Sequence, residues 1–430
     1  MLNNAYFFRM SALFLVCLLL KLYVISSLSF SKPKILVLGG SGRVGGSAVN
    51  SLIKERIVDV CDVGGRTLSK FEDLKFRHKK ILTNENTNFI NIDCFDTNKL
   101  TPILQNYDIV INTAGPFQGL HESPVLETAL KEGKIYLDVC DDIGLSDYCR
   151  CNKIQELAIK NNGTAIISTG IWPGASSLLA KSLIDDVNKV GGAQNVKDVK
   201  FSFFTSGSGG AGKTILTATF LLLGELVLTY NKGQKVYKET ATELQTIDFG
   251  DTLGKREVAR LNLIECQSCA SHLKSQLQLY NNNDYSGINV QTFFGTAPPF
   301  WNALFALMAR IIPQKVLQNR KWMETLAIIS LPMVRLVDTL VGSSNGIRVD
   351  IECRDDSRWV ALLNHKDLER AVGDAIAAFV VAIINEKNSN GIPYGVFFPE
   401  EFPSKIFSDT ILDFVSKEER DCTEYKIFKQ

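Results

Sequence analysis

A glycine turn near the start of the chain has the residue types and spacing that bind a phosphate. Gly40, Gly42 and Gly45 stand in G-x-G-x-x-G spacing directly after a short apolar run at residues 34–38. The first glycine permits a tight turn, the second lets backbone approach a pyrophosphate, and the third lets the next helix lie close to the strand. The helix N-terminus would then face the phosphate. The predicted dinucleotide-binding residues of this turn are Gly40, Ser41, Gly42, Arg43, Val44 and Gly45.

The residues that follow the second apolar run, 57–63, decide between the two nicotinamide dinucleotides. A carboxylate at this tip would bind the ribose hydroxyls of NAD, whereas an arginine with a neighbouring hydroxyl would bind the 2′-phosphate of NADP. The tip carries Arg66 and Thr67, so both are predicted to bind cofactor and NADP is favoured over NAD. NAD stays open as an alternative through Asp62, which could serve as the ribose acceptor if the strand ends before it.

Hydride transfer also needs a group that donates or accepts a proton near the reacting carbonyl, imine or alkene. The fourth and fifth apolar runs, at residues 107–114 and 135–140, are predicted strands. Ligands of open α/β sheets bind at the carboxyl ends of such strands. The residues predicted there are Ala114, Gly115 and Pro116 for the cofactor, and Asp138 and Asp141 as the catalytic pair.

The elements that must position these residues alternate along the chain. Six strand-like runs with intervening helical segments predict a doubly wound Rossmann domain with a parallel sheet at residues 34–170. Longer runs then predict a second, mixed α/β domain for substrate and dimerisation at residues 171–363. Residues 364–430 are predicted to form a long helix, with Asn364 as N-cap, that returns to the first domain, and a C-terminal tail; Gly373 would allow a close crossing.

A second phosphate-binding pattern and two cysteine pairs suggest other functions. Residues 207–214 read GSGGAGKT, the P-loop pattern, so an NTPase is a remote alternative. The sequence lacks a clear downstream magnesium-binding strand, and the milder interpretation is a loop that closes over substrate, with Lys213 meeting an anionic group. The pairs Cys149-x-Cys151 and Cys266-x-x-Cys269 have no partner pair at a suitable spacing, so no metal site is predicted.

Composition excludes several classes of protein. The chain has 430 residues, and 47 Lys and Arg against 46 Asp and Glu give a net charge of +1, which disfavours nucleic acid as a partner. A hydrophobic content of 45% and a charged content of 22% exclude a disordered, collagen-like or coiled-coil chain. The length favours two domains with substantial cores.

The N-terminal segment, residues 1–30, is a predicted targeting element. An apolar run at residues 11–20 behind Arg9 predicts a signal peptide cleaved after Ser29, which places the chain on the secretory route. Small Ser29 followed by Phe30 is also typical of the two-part leaders that address plastids. The alternative is an uncleaved anchor in the ER membrane, with Lys21 at its centre as the feature that opposes it.

Two further apolar stretches, residues 215–228 and 326–341, are interrupted by charges. Core or a homodimer interface is the expected fate of both stretches, and a lipid-like substrate would fit the same surfaces.

Five segments resemble the saccharopine dehydrogenase-like family of oxidoreductases. They are GGSGRVG, GGRTLSK, INTAGPF, YLDVCDD and TGIWPGASSLLA, and the resemblance continues through FGTAPPFWN and GIPYGVFFPEE to cover nearly all of residues 34–403. The subgroup it resembles is the one of photosynthetic organisms. The resemblance implies an NADP-binding Rossmann domain, a mixed second domain and dimers, but not saccharopine as substrate. We expect an NADP-dependent oxidoreductase of a small or lipid-like substrate; the alternative is a non-catalytic dinucleotide-binding sensor or scaffold.

Overall fold

The computed structural model describes residues 32–78, 81, 86–191, 195–206, 212–279 and 287–430. The predicted leader, residues 1–30, lies outside the described residues, and so do residues 207–211 of the glycine-rich loop. Within the described part of the chain, none of the helices combines the length and the apolar character needed to cross a membrane. The nine cysteines in this part are free thiols.

The first domain is built on a sheet of seven parallel strands in the order β15-β6-β5-β4-β1-β2-β3. This arrangement confirms the predicted doubly wound Rossmann fold. Its strands are β1 (Lys34–Leu38), β2 (Val60–Gly65), β3 (Phe89–Asn91), β4 (Ile109–Asn112), β5 (Ile135–Asp138), β6 (Thr164–Ile166) and β15 (Gly395–Phe397). Its helices are α1 (Arg43–Glu55), α2 (Leu68–Arg77), α3 (Thr97–Leu104), α4 (Pro124–Lys131), α5 (Ile143–Cys149) and α6 (Asn152–Lys160).

Strand β1 shows why this sheet needs continuous apolar runs. Ile35 and Val37 pack with the buried side of α1, whereas Leu36 and Leu38 pack on the opposite face with residues of α3 and α4. A parallel strand with helices on both faces has no solvent side, so the sequence does not alternate between apolar and polar residues. The seventh strand, β15, was not among the six predicted strands; it comes from the C-terminal part of the chain.

The second domain is a mixed sheet of nine strands with helices around it. Strands β12 and β7 pair in parallel, and the other pairs are antiparallel. The strands are β7 (Val196–Ser206), β8 (Val227–Asn231), β9 (Gln234–Lys238), β10 (Gln245–Asp248), β11 (Lys255–Arg260), β12 (Asn289–Ala297), β13 (Ser344–Cys353), β14 (Arg358–His365) and β16 (Cys422–Lys429). The helices are α7 (Ala175–Gly191), α8 (Lys213–Leu222), α9 (Glu265–Leu279), α10 (Phe300–Ile311), α11 (Gln314–Leu317) and α12 (Arg320–Val341).

The long helix α13 (Leu368–Ser389) returns to the first domain as predicted, and it packs along α1. A Cβ atom on Gly373 would lie 2.6 Å from the carbonyl carbon of Ser47, so only glycine lets the two helices come this close. The predicted N-cap, Asn364, was wrong: Asn364 lies in β14, where its side-chain amide donates to Phe249 O at 2.7 Å. Asp367 caps the helix instead and accepts from Arg370 N at 2.7 Å. Helix α14 (Lys405–Val415) packs against α13 near the end of the chain.

Candidate active site

The turn between β1 and α1 brings three parts of the first domain together. Gly39, one residue before the first motif glycine, has the left-handed backbone, with φ +73°, so the tight bend lies at Gly39 rather than at Gly40. A Cβ atom on Gly45 would lie 2.6 Å from Gly39 O and would also collide with Thr113 Oγ1 at the end of β4. Glycine at position 45 therefore lets α1 lie against both strands.

The N-terminus of α1 is suited to hold a pyrophosphate. Gly42 is the N-cap and supplies no side-chain cap, and the first backbone N–H groups of a helix have no acceptor within it. Two cations stiffen the turn: Arg77 donates to Ser41 O at 3.1 Å, and Arg43 donates to Glu369 Oε2 of α13 at 3.1 Å. The turn residues thus fit a dinucleotide, with Ser41 through Gly45 around its phosphates.

Arg66 occupies the corner next to this turn. Its side chain is 77% exposed, and its ion pair with Asp93 Oδ2 is long, at 3.9 Å. Thr67 follows as the N-cap of α2, without a side-chain capping bond. A Cβ atom on Gly65 would lie 3.3 Å from Ser41 Oγ, so the tip of β2 lies beside the glycine turn. An extended cation at this corner suits the 2′-phosphate of NADP.

Asp62, through which NAD stayed open, is engaged inside the fold. Strand β2 continues to Gly65, so Asp62 lies within the strand, and it is buried. Its Oδ1 accepts from Asn88 N at 2.8 Å, and its Oδ2 accepts from Tyr107 Oη at 2.6 Å. Both oxygens are held by the first domain itself, so the residue is not presented to a ribose.

The loop after β4 connects the cofactor edge to the second domain. Ala114 N donates to Asn112 Oδ1 at 3.1 Å, and a cis peptide joins Gly115 to Pro116. A Cβ atom on Gly115 would lie 3.5 Å from Thr214 Cγ2 in the first turn of α8. The predicted cofactor residues Ala114, Gly115 and Pro116 therefore lie between the glycine turn and the second domain.

An apolar cavity of about 170 Å³, the interdomain cavity, lies between the two domains. Its aromatic wall includes Trp172, which stacks on Phe203 with ring centroids 5.1 Å apart. The indole N–H of Trp172 is buried and has no acceptor among the described residues. Its charged lining residues in the described part of the chain are all acidic: Asp141, Glu265 and Asp338.

Two of these acids are poised near neutrality. Burial raises the pKa of Asp141 to about 6, against a lowering contribution from Gln118, whose Nε2 donates to Asp141 Oδ1 at 2.7 Å. Burial likewise raises the pKa of Glu265 to about 7, although Ser176 Oγ donates to it at 2.9 Å. Because desolvation penalises the charged form, both groups hold a proton to a higher pH than an exposed carboxyl does. They can therefore donate a proton inside the cavity.

Asp138, the other predicted catalytic residue, lies in the interior rather than along the cavity. Its Oδ1 accepts from Ser168 N at 2.8 Å and from Cys140 N at 3.1 Å, and its Oδ2 accepts from Tyr136 Oη at 3.0 Å. Burial raises the pKa of Asp138 to about 6, against these hydrogen bonds. The contacts show a residue that ties β5 to the loop after β6, and its catalytic role stays a prediction.

A comparison with known protein families found a match in the first domain. A family model described as the saccharopine dehydrogenase NADP binding domain matches residues 35–167. This segment, less than half of the chain, is therefore similar to the saccharopine dehydrogenase NADP-binding domain. NADP is accordingly the cofactor of this domain, as Arg66 predicted. No curated protein sequence matches the chain.

One solved structure extends the likeness of fold over both domains. Apo saccharopine dehydrogenase (L-Glu forming) from Saccharomyces cerevisiae is 14% identical, covers 92% of this chain and 100% of its own, and has a TM-score of 0.59. Apo scyllo-inositol dehydrogenase from Lactobacillus casei is 11% identical, covering 91% of this chain and 96% of its own, with a TM-score of 0.40. The chain thus has the two-domain fold of the yeast saccharopine dehydrogenase. The subgroup of photosynthetic organisms stays a prediction.

Lys213, from the P-loop pattern, begins α8 beside the NADP-binding domain. Its Nζ lies 3.4 Å from Glu324 Oε2 of α12. Most of the pattern, residues 207–211, lies outside the described residues. In the described part of the chain, no group of His, Cys, Asp and Glu is arranged to hold a metal ion. The match of the first domain to a family of NADP-binding dehydrogenases does not favour the NTPase alternative.

Sequence reasoning missed several residues that the fold brings to the site. Gln118 donates to Asp141 and Ser176 donates to Glu265, the two cavity acids with raised pKa values. Glu369 of α13 accepts from Arg43 of the glycine turn. Glu265 had a usable signal, because it follows Leu263 and Ile264 and precedes Cys266 without a charged neighbour. Gln118 and Ser176 had none, since their partners are distant in the sequence.

Proposed function

We propose that this protein is an NADP-dependent oxidoreductase that acts on a neutral, apolar carbonyl compound held in the interdomain cavity. The observation that carries the proposal is the lining of the cavity, which joins apolar walls to two carboxyl groups, Asp141 and Glu265, whose pKa values burial raises to about 6 and about 7. NADP, when bound, supplies or accepts the hydride. The residues of this chain then have to bind the substrate, exclude water and move one proton.

Asp141 is the proposed proton donor. A carbonyl that gains hydride at carbon needs a proton at oxygen, and Asp141 is the cavity acid that lies in the NADP-binding domain. Gln118, four residues beyond Ala114, orients its carboxyl from the loop that follows β4. This loop therefore links the cofactor edge to the proton donor. In the opposite direction the ionised carboxyl accepts the proton from an alcohol.

Trp172 and Glu265 complete the proposed binding site. The unpartnered indole N–H of Trp172 is a donor available to a substrate oxygen, and the aromatic wall provides apolar contact. Glu265, protonated below about pH 7, adds a second donor. A substrate with several carboxylates would meet acidic groups and no described lysine or arginine in this cavity, so an acidic amino acid is disfavoured.

Asp141→Asn tests the assignment. Oxidation of NADPH is followed with a panel of neutral aldehydes and ketones of increasing chain length, beside an acidic keto compound. We expect turnover of the apolar members, a loss of about 100-fold in kcat in the variant, and an unchanged Kd for NADPH. In the wild type, kcat for reduction falls as pH rises through about 6, because the protonated donor is lost, and the variant lacks this step.

Asp338→Asn is the matched control, since it removes a cavity carboxyl contributed by the second domain. Equal losses in both variants would place the effect in the general electrostatics of the cavity and contradict the role of Asp141. Tight NADPH binding without turnover of any member of the panel would favour the dinucleotide-binding sensor instead.

A further inference from the structure

Helix α12 exposes a continuous apolar stripe, here called the α12 face: Trp322, Ile329, Met333, Leu336 and Leu340. Their spacing of seven, four, three and four residues keeps them on one side of the helix. The stripe is about 27 Å long at the rise of an α-helix. It is well exposed, since Trp322 is 63%, Ile329 70% and Leu340 79% accessible. Segment 300–341 holds 11 of the 22 exposed large hydrophobic residues among those the structure describes.

The exposed charges of residues 300–342, the segment that contains the α12 face, have one sign. Every exposed charged residue of this segment is basic, and the four are here called the basic rim: Arg310, Lys315, Lys321 and Arg335. The two acidic residues of this segment, Glu324 and Asp338, are not among its exposed residues. Glu324 is half-buried and pairs with Arg320 at 3.2 Å and Lys213 at 3.4 Å, and Asp338 is half-buried along the interdomain cavity. The whole chain carries only +1, so this positive rim is local.

We propose that the α12 face is an interfacial membrane-binding surface that docks on a bilayer with anionic headgroups. An amphipathic helix lies in the plane of a bilayer when it buries an apolar stripe and sets lysine and arginine at headgroup level. Exposed tryptophan is the aromatic residue suited to that interface. A second copy of this chain suits the surface less well, because a two-fold contact would bring the same basic rim of both copies together.

The surface also adjoins the interdomain cavity. Val334 and Asp338 of α12, and Trp301 and Phe305 of α10, form part of the cavity wall while the same helices expose apolar residues outward. A docked molecule would have its cavity next to the source of an apolar substrate. This last step rests on the proposed function, whereas the docking itself does not.

Quenching by brominated lipid tests the docking without turnover. The chain has four tryptophans and none in residues 1–31; Trp301 is buried, and Trp172 and Trp359 are half-buried. Full-length protein is mixed with vesicles of equal parts phosphatidylcholine and phosphatidylglycerol carrying brominated acyl chains. We expect tryptophan fluorescence to be quenched, and Trp322→Phe to lose this quenching while it still sediments with the vesicles.

Charge and apolar variants complete the test. Ile329→Glu with Leu336→Glu should weaken vesicle binding at least tenfold. Phe76→Glu with Ile406→Glu, at positions elsewhere that are at least about as exposed, should not. Lys321→Glu with Arg335→Glu should lose the preference for phosphatidylglycerol over pure phosphatidylcholine. The predicted leader is common to all variants, so their differences report the α12 face.

Two results would overturn the proposal. The first is quenching that is absent in the wild type or undiminished in Trp322→Phe. The second is vesicle binding unaffected by Ile329→Glu with Leu336→Glu while sedimentation velocity shows that these changes convert a dimer to a monomer, which would assign the face to a second copy. Vesicle binding without carbonyl turnover would leave the docking intact and refute only the proposed function.

Discussion

Arg66→Ala should separate binding of NADPH from binding of NADH. The two cofactors differ only by the 2′-phosphate, and Arg66 is the cation at the tip of β2 beside Ser41. The side chain is 77% exposed, and the carboxylate of Asp93 lies 3.9 Å away. The side chain is therefore free to extend to a phosphate at little cost in existing contacts. Removal of the Arg66 side chain should weaken the binding of NADPH and leave the binding of NADH unchanged.

The magnitude follows from the exposure. A hydrogen bond to a charged group contributes about 1.5–3 kcal/mol, and solvent screening at an open corner lowers this to about 1–2 kcal/mol. That free energy corresponds to a rise of roughly 5–30-fold in the Kd of NADPH. Asp93→Asn should act in the opposite direction, because it removes a negative charge from the corner and releases Arg66. The effect of both changes should shrink at high salt.

Titration of nicotinamide fluorescence measures both affinities directly. Lys153→Ala, which removes an exposed cation from α6 of the same domain, is the matched control and should change neither Kd. The same loss for NADH as for NADPH would show that Arg66 supports the fold of the corner rather than the 2′-phosphate. No loss for either cofactor would refute the reasoning altogether.

Two further predictions concern stability. Gly373→Ala should destabilise the fold by about 1–3 kcal/mol, because the new Cβ would meet the backbone of Ser47. Gly144→Ala is the control, since a Cβ atom there has no contact closer than 3.4 Å. Equal denaturation midpoints for the two variants would contradict the close crossing. Burial raises the pKa of Glu400 to about 7 from 4.5, so the stabilisation from its bound proton is complete below about pH 4.5 and is lost as pH rises through about 7. Glu400→Gln should therefore gain about 2–3 kcal/mol relative to wild type between about pH 5 and pH 8 in urea unfolding, and a constant difference would contradict this.

The first sheet could be predicted because most of its strands are recognisable from their own local sequence. Each of β1, β2, β4 and β5 is an apolar run that ends near a glycine or a polar residue, and parallel right-handed connections leave few topologies. Strand β15 could not be predicted in this way. It has three residues and pairs with β6, which lies more than two hundred residues earlier in the chain. Its position is determined by the return of α13 and not by its own sequence.

The prediction of Asn364 as the N-cap of α13 failed for a related reason. Asn364 lies three residues before Asp367, a spacing that imitates a capping box. Asn364 is instead held in β14 by pairing with Gly346 on one side and Glu424 on the other. The sequence around Asn364 does not show these cross-strand partners. The helix therefore begins after the next residue that can cap it, Asp367.

The site residues likewise fall into those that local sequence could predict and those that only the fold brings together. The glycine turn and Arg66 lie within one strand-turn-helix unit and its neighbour, so spacing alone located them. Glu265 did not follow from spacing: it accepts from Ser176 Oγ across 89 residues, and it lines the same cavity as Asp141, which belongs to the NADP-binding domain. Asp138 and Asp141 are equivalent in sequence, three residues apart, yet one is tied into the interior and the other faces the cavity.

The chain has a net charge of only +1, yet two of its regions prefer ligands of different charge. The described lining of the interdomain cavity carries carboxyl groups and no lysine or arginine, which penalises an anionic substrate once those groups ionise. The rim of the α12 face carries exposed cations, which favour an anionic surface. A free fatty acid would suit the rim but not the cavity, whereas a neutral ketone or aldehyde with an apolar chain suits the cavity and dissolves in the bilayer. Neutral, membrane-soluble carbonyl compounds are therefore the class in which both regions can act on one substrate.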